Sequence, residues 1–295
     1  MTRRVILVGD AMLDVVVRPV APLAPTSDTS ATVRVGRGGS AANLAVAMRS
    51  VMDTAYEIVF AGVAGNDAAA CIIRADLERS HVVAHLATTD GATGVVVSLV
   101  GDGGERAMMT ERGVNAELTF AHVAGMFDSS LVHLHISGYT ALDERTRDLV
   151  PQLIEAASVL GATTSIDVCS VGPLQAVGVD AFVSAARHAT MLFANEEEAL
   201  MLSGTTDVEA ALTSLALTWR EVVITRGPRG ALVRNSDQTF LAGTQVDVVV
   251  DTTGAGDSAT GTYLANRLNG VDVQMSLTHA MATAARVVRG LGSQG

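Results

Sequence analysis

The segment Val248-Val-Val-Asp251-Thr-Thr-Gly254-Ala-Gly256-Asp257-Ser-Ala-Thr-Gly261-Thr-Tyr-Leu carries the strongest chemical signal in the chain. A β-branched run enters a glycine turn, and a helix rich in small residues begins at once. The first N–H groups of a helix lack backbone partners and the helix dipole favours negative charge there, so this turn can bind an anion. Glycine lets the backbone close on such a ligand without Cβ interference. Asp257 does not belong in an anion cradle as a spectator, since its carboxylate would repel a resting phosphate. It suits a base that takes the proton of a nearby hydroxyl. The alternative is an ordinary aspartate in the first helical turn.

Four further groups stand at comparable places. Gly36-Arg-Gly38-Gly39-Ser-Ala-Ala-Asn43 opens a second helix with glycines and leaves the Asn43 amide near its start. Asp14, just past the first strand, can accept hydrogen bonds from sugar hydroxyls or serve as a turn aspartate. Asn195-Glu-Glu-Glu198 follows a strand and starts a helix; its acids complement the dipole, and Asn195 with Glu198 could equally hold a hydrated Mg²⁺, which keeps water and phosphate oxygens among its ligands. Thr225-Arg-Gly227-Pro-Arg-Gly230 packs glycines around a turn that a ribose or triphosphate could approach. His133-Leu-His135 puts two imidazoles on one face of a strand, without a third ligand at zinc spacing.

These groups need a scaffold that delivers them to one place. Val5–Val8, Glu57–Ala61, Leu131–Ile136, Thr164–Val168, Met191–Ala194 and Val222–Thr225 read as buried strands, near-continuously apolar as parallel strands covered on both faces should be. Helical patterns lie between them at Ser40–Met52, Ala68–Ser80, Glu144–Leu160, Glu196–Ser203 and Val208–Leu217. That order predicts an α/β fold with a mainly parallel central sheet and ligands outside the carboxyl ends of its strands. Val15–Val35, Pro-rich in its middle, and Gly94–Thr110, with the turn Gly101-Asp-Gly-Gly104, have no room for a crossover helix. They read as a small β element, covering about 13–36 and 93–112, that serves as a lid or a dimer-forming surface. The expectation is one α/β domain over 1–295 with the lid inserted in it.

Composition narrows the chemistry. With 295 residues, 48% hydrophobic and 17% charged, the chain reads as a well-folded globular protein, and a net charge of −11 gives no basic footprint for nucleic acid. All 20 basic residues are arginines. A P-loop lysine and Schiff-base catalysis are therefore excluded. Cys71 and Cys169 have no paired spacing and read as reduced thiols of a cytoplasmic protein. Met1-Thr-Arg-Arg followed by Val5–Val8 is too short for a leader and reads as a first strand; no run is long enough to span a membrane. Gly9-Asp-Ala-Met-Leu-Asp14 is not the G-x-G-x-x-G of a nicotinamide-dependent oxidoreductase.

Together, Gly9-Asp10 with Asp14, Gly38-Gly39 with Asn43, Gly65-Asn-Asp67, Asn195–Glu198, Thr225–Gly230 and Asp251–Asp257 resemble the ribokinase-like (PfkB) family of carbohydrate kinases over nearly the whole chain. The sequence departs from the family at Ala259, where an aromatic is common, and at Ala70, where a glycine is. The resemblance implies a ribokinase-like fold with helices on both sheet faces, and ATP, Mg²⁺ and K⁺ as cofactors. Asp257 would be the base, of ordinary aspartate pKa, and Gly254, Ala255 and Gly256 the anion hole. Asp14, Gly38, Gly39 and Asn43 would contact the sugar. Asn195, Thr225, Gly227 and Gly230 would contact the nucleotide and Glu198 the Mg²⁺. Asp251, Thr253, Val287, Gly290 and Gly292 would hold K⁺. Arg112 could reach an acidic substituent of the substrate or pair at the surface beside Glu111. The expected activity is phosphorylation of a small sugar. A nucleoside kinase of the same fold and a sugar-sensing protein without catalysis are the alternatives, and a homodimer through the lid is the expected assembly.

Overall fold

The computed structural model describes residues 2–101, 106–244 and 252–290. Its strands are β1 (Arg3–Val8), β2 (Met12–Pro19), β3 (Ala31–Gly38), β4 (Tyr56–Ala64), β5 (Val83–Thr88), β6 (Gly94–Val100), β7 (Arg106–Glu111), β8 (Leu131–Ser137), β9 (Thr163–Asp167), β10 (Met191–Asn195), β11 (Glu221–Thr225), β12 (Ala231–Asn235) and β13 (Gln238–Ala242). The helices are α1 (Ser40–Arg49), α2 (Ala68–Arg79), α3 (Phe120–Val123), α4 (Gly138–Ala141), α5 (Leu149–Val159), α6 (Val171–Val177), α7 (Val179–Ala186), α8 (Glu196–Ser203), α9 (Val208–Leu215), α10 (Ala255–Leu268) and α11 (Val273–Val287).

Among the described residues the main sheet runs β13-β12-β11-β10-β9-β8-β1-β4-β5, parallel throughout except where β12 turns back on β11 and β13 on β12. The six apolar runs in the sequence are all in it. Their alternation divides the core into two layers: Ile6 and Val8 face a cluster with α5, α7, α8 and α9, whereas Val5 and Leu7 face one with α1, α2, α10 and α11. This is the arrangement expected from the sequence, a mostly parallel sheet covered on both faces.

The segments around the Pro-rich stretch and the glycine turn pair into a separate four-stranded sheet of order β3-β2-β6-β7. Its root is tied down by Asp67, which caps α2 and also accepts from the Thr93 N–H at 2.8 Å. The turn residues 102–104 lie outside the described residues.

One expected element changes its bounds. The helix expected over Glu144–Leu160 starts only at Leu149, because Asp143 accepts the backbone N–H and the guanidinium of Arg145 and holds the preceding residues in turns. Residues 226–230 form a single 3-10 turn closing the β11–β12 hairpin. The strand β5, the hairpin β12–β13 and helices α6, α7 and α11 had no counterpart in the periodicity.

One close approach matters for the site. Helix α10 lies directly on α1, and a Cβ at Gly261 would stand 2.6 Å from the Leu44 carbonyl oxygen. Only a glycine lets the two helix axes come this near, and that contact brings the first turns of both helices together.

Candidate active site

Asp257 sits in the first turn of α10, half-buried. Its Oδ1 accepts the Ser40 hydroxyl at 2.7 Å and its Oδ2 accepts the Asn43 amide at 2.9 Å. Both donors belong to the first turn of α1, so the Gly261 contact sets these distances. Burial pushes the Asp257 carboxyl above the usual aspartate range, while the two hydrogen bonds and the charge of Arg37 oppose that rise. The expectation of an ordinary aspartate pKa is therefore corrected, because the protein walls desolvate the charged form.

The first intrahelical bond of α10 runs from the Ser258 N–H to the Gly254 carbonyl. The amides of Gly256 and Asp257 precede it and have no partner within the helix. The Ala255 N–H differs: it donates to the Thr252 carbonyl at 3.3 Å. Of the three residues expected to form an anion hole, Gly254 and Gly256 line the cleft and Ala255 does not.

The cleft has a cavity volume of about 650 Å³. It is lined by the carboxyl ends of β9, β10 and β11, by the starts of α1 and α10, and by the small sheet through Met12, Asp14, Val96, Met108 and Thr110. Asp14, Gly39, Asn43, Asn195, Glu198, Thr225 and Thr253 all reach it, as expected from the sequence. Gly38 stays behind the wall, and its role is space: a Cβ there would fall 1.9 Å from Asp14 Oδ1. Gly227 and Gly230 do not line the cleft. They shape the hairpin, where the Ala242 carbonyl occupies the place of a Gly230 side chain. Val287 and Gly290 also lie off the cleft, at the end of α11, where the Gly290 N–H donates to the Val287 carbonyl at 3.0 Å. Asp251 and Gly292 lie outside the described residues.

Asn195 and Glu198 form a capping box. Asn195 Oδ1 accepts the Glu198 N–H at 2.9 Å, and Glu198 Oε2 accepts the Asn195 N–H at 2.8 Å. This occupies one carboxylate oxygen of Glu198 and leaves the other to the cleft. Burial raises the Glu198 pKa to about 7. Asp167 is also raised well above its ordinary value, by burial and then by the charges of Glu198 and Asp257. The same field and burial keep Cys169 a thiol and Tyr139 a phenol.

Crowded carboxylates of this kind are relieved by a cation. Among the described residues no three His, Cys, Asp or Glu side chains are arranged to grip a metal directly. The donor set therefore fits a hydrated Mg²⁺ carried by phosphate oxygens, with Glu198 reached through water.

Arg112 neither reaches out to solvent nor pairs with Glu111. Its Nε and Nη2 hold Asp10 at 2.7 Å each, and its Nη1 holds Asp143 at 2.5 Å. The neighbouring arginines pull the Asp143 carboxyl down to about 2. Together they form a polar floor at the end of the cleft below the small sheet. Asp143 escaped sequence reasoning, as did Asp167, Ser40 and Arg37, while Asp10 was named in the Gly9-Asp10 motif without a role. Asp167 had a usable signal, since it ends a parallel strand as Asn195 and Thr225 do.

A sheet with ligand groups at the carboxyl ends of its strands, a glycine turn at a helix start and a carboxylate beside it define a phosphoryl-transfer cleft of the carbohydrate-kinase kind. A family model described as pfkB family carbohydrate kinase matches residues 2–295, and the chain belongs to that family. It is 29% identical to an ATP-dependent ribose-1-phosphate kinase of Halopiger xanaduensis, over 85% of this chain and 80% of the relative. Among solved structures it is similar to the adenosine kinase from Sinorhizobium meliloti, with a TM-score of 0.89 and 23% identity over 99% and 96% of the two chains. It is also similar to a putative ribokinase II from E. coli in complex with ATP and Mg²⁺, with a TM-score of 0.86 and 22% identity over 99% and 94%. The protein is thus a phosphotransferase with a hydroxyl group as acceptor, acting on a sugar substrate.

Proposed function

We propose that the protein transfers the γ-phosphoryl group of ATP to a hydroxyl of a small sugar of the ribose, fructose or 2-keto-3-deoxygluconate type. The observation that carries this reading is the juxtaposition of Asp257 with the unpartnered amides of Gly256 and its own N–H, where the first turns of α1 and α10 meet. In this reading the acceptor hydroxyl lies between Asp14 and Asp257. Asp257 takes its proton as the oxygen attacks the γ-phosphorus; the new O–P bond forms, the bond to the β-phosphate oxygen breaks, and ADP leaves. Burial raises its pKa above the ordinary aspartate range, which makes the carboxylate a better proton acceptor than an exposed aspartate.

The helix-start amides take the charge that spreads over the transferring oxygens, without reorganisation during the step. Ser40 and Asn43 fix the orientation of the carboxylate. Asn195, Thr225 and the backbone of the turn that follows would meet the nucleotide, with Gly227 and Gly230 acting by shaping that turn. Glu198 would hold Mg²⁺ through water, and the ion, when bound, neutralises phosphate charge. Thr253, Val287 and Gly290, with Asp251 and Gly292, would supply oxygens for K⁺. The small sheet would close over the acceptor and exclude water, which favours transfer over hydrolysis. Its row Val35, Val15, Val97 and Met109, with Val35 and Met109 both 53% exposed, supports pairing of two lids in a homodimer. Two free cysteines and the absence, among the described residues, of a helix able to cross a membrane suit a cytoplasmic enzyme.

Asp257→Asn tests the reading. It keeps the shape and the hydrogen-bonding reach but cannot accept the proton, so kcat should fall by about 10³-fold or more while sugar binding by calorimetry persists. Ordinary turnover in that variant would defeat the assignment of the base. A coupled ADP-release screen over ribose, fructose, 2-keto-3-deoxygluconate, tagatose phosphate and nucleosides names the acceptor, and consumption of a nucleoside alone would replace the sugar.

A further inference from the structure

Among the described residues Arg37, in β3 at the root of the small sheet, is only 2% exposed, as deeply buried as the acids Glu198 and Glu221. Burying a guanidinium costs several kcal/mol unless it is paired and hydrogen-bonded. Here its Nε donates to Asp76 Oδ2 of α2 at 2.8 Å, and its Nη1 donates to Asn43 Oδ1. Asp76 is braced from the other side by Arg79 at 2.9 Å.

The arrangement fixes the orientation of the Asn43 amide. A guanidinium is a donor only, so it takes the amide oxygen. The amide nitrogen is then turned to the opposite side, where it donates to Asp257 Oδ2. A carboxylate and an arginine on either side of one amide allow a single assignment of its two ends. Without Arg37, the amide can rotate and present its oxygen to Asp257, where it would repel the charged form.

We propose that Arg37 is a positioning residue for phosphoryl transfer: held on α2 through Asp76, it locks Asn43 so that the amide keeps the Asp257 carboxylate aimed at the acceptor. This rests on the reading of Asp257 as the base. The chain Asp76–Arg37–Asn43–Asp257 crosses from α2 through β3 to α1 and α10, so it also ties the root of the small sheet to the base. Among the described residues, the other ionisable groups whose charge acts on Asp257, namely Asp167 at the end of β9, Cys169 beyond it and Tyr139 of α4, are acids. Arg37 is the cation that offsets them at Asp257.

The test is Arg37→Met, which keeps the length and apolar stem, together with Arg37→Lys. Turnover with saturating ATP and sugar should fall about 10- to 100-fold in Arg37→Met, with KM for the sugar within about threefold of the parent. Arg37→Lys should recover a good part of that loss. Installed in an Asp257→Asn background, Arg37→Met should lower the residual turnover by less than twofold, because the group it orients no longer acts. A merely structural role predicts the same fold-loss in both backgrounds, and that result overturns the proposal, as does a kcat within twofold of the parent in a folded Arg37→Met enzyme. Should Arg37→Met fail to fold with Asp76 left alone, the pair Arg37→Gln with Asp76→Asn leaves no isolated buried charge and is read by the same criteria. Failure of the base reading is distinct: there Asp257→Asn itself turns over normally.

Discussion

Gly261→Ala adds a single methyl group to a helix that prefers alanine by about 1 kcal/mol, so propensity alone predicts a more stable protein. The packing predicts the reverse. The new Cβ would stand 2.6 Å from the Leu44 carbonyl, 3.1 Å from the Ala47 Cβ and 3.1 Å from the Met48 nitrogen, whereas ordinary contacts begin near 3.4 Å. Two of these three are backbone atoms that cannot rotate away, so α10 must draw back from α1 by up to about 0.8 Å at this point, within a core that yields little. Overpacking of that size costs about 1–3 kcal/mol and outweighs the helix-propensity gain. The displacement also lengthens the Ser40–Asp257 and Asn43–Asp257 hydrogen bonds, now 2.7 and 2.9 Å, towards the limit of useful geometry. A misplacement approaching 1 Å lowers turnover by about 10²-fold. Urea unfolding should show a net loss of up to about 2 kcal/mol, and steady-state assays a kcat reduced at least tenfold with ATP and sugar saturating. A variant as stable and as active as the parent would refute the claim that this one helix contact sets the geometry of the base.

Three further outcomes follow from the structure. His133 and His135 are fully buried, joined through the Ser165 hydroxyl, and burial drives both pKa values down to about 3 from 6.5. The unfolded chain takes up protons as pH falls below 6.5 and the folded chain does not until near 3, so stability is lost across that window, by about 2 kcal/mol per histidine at pH 5. His135→Gln should make the fall in unfolding free energy between pH 7 and pH 5 shallower by about that amount; an unchanged slope would show that another group drives it. Glu198→Gln keeps an oxygen for the capping box but removes the charge, so the thermal midpoint should move little while the Mg²⁺ concentration for half-maximal activity rises about tenfold; a lowered midpoint with unaltered Mg²⁺ dependence would make Glu198 a cap only. Replacing K⁺ by a bulky organic cation should lower turnover severalfold, and unchanged activity would reject the cation site at Thr253 and the end of α11.

What could be read from the sequence was what short-range pattern carries. The apolar runs named six strands of the main sheet, and the rule that ligands gather at strand ends picked out Asn195 and Thr225, both in the cleft. The same rule passed over Asp167 because the strand was drawn from Thr164 to Val168, which puts the aspartate inside it; the strand ends at Asp167. Asp143 stood just before the expected helix Glu144–Leu160 with no signal of its own; its pairing with Arg112 and Arg145 is what keeps the chain in turns there. Arg37 and Asp76 stand 39 residues apart, and no periodicity links a strand residue with a helix residue at that distance. Gly227 and Gly230 differ again: a glycine pair after a strand has the look of a ligand loop, and the close Ala242 carbonyl by itself already requires a glycine at 230.

The charges around the cleft give these separate residues a common logic. Asp167, Glu198 and Asp257 bring three carboxyls to one wall, and Asp10, Asp14 and Asp143 bring three more to the other end. The guanidinium groups within reach are already engaged: Arg37 on Asp76 and Asn43, Arg112 on Asp10 and Asp143. In a chain without lysine, the positive charge that a triphosphate requires must then come from helix-start amides and from cations in solution. The raised pKa values of Asp167 and Glu198 record the cost of that arrangement before a cation arrives. A bound divalent ion should therefore drive protons off this wall, so that Mg²⁺ binding in weakly buffered solution near pH 7 releases protons, and does so less in Glu198→Gln. Proton release equal in both proteins would place the ion away from Glu198 and break the link between the carboxylate wall and the phosphate site.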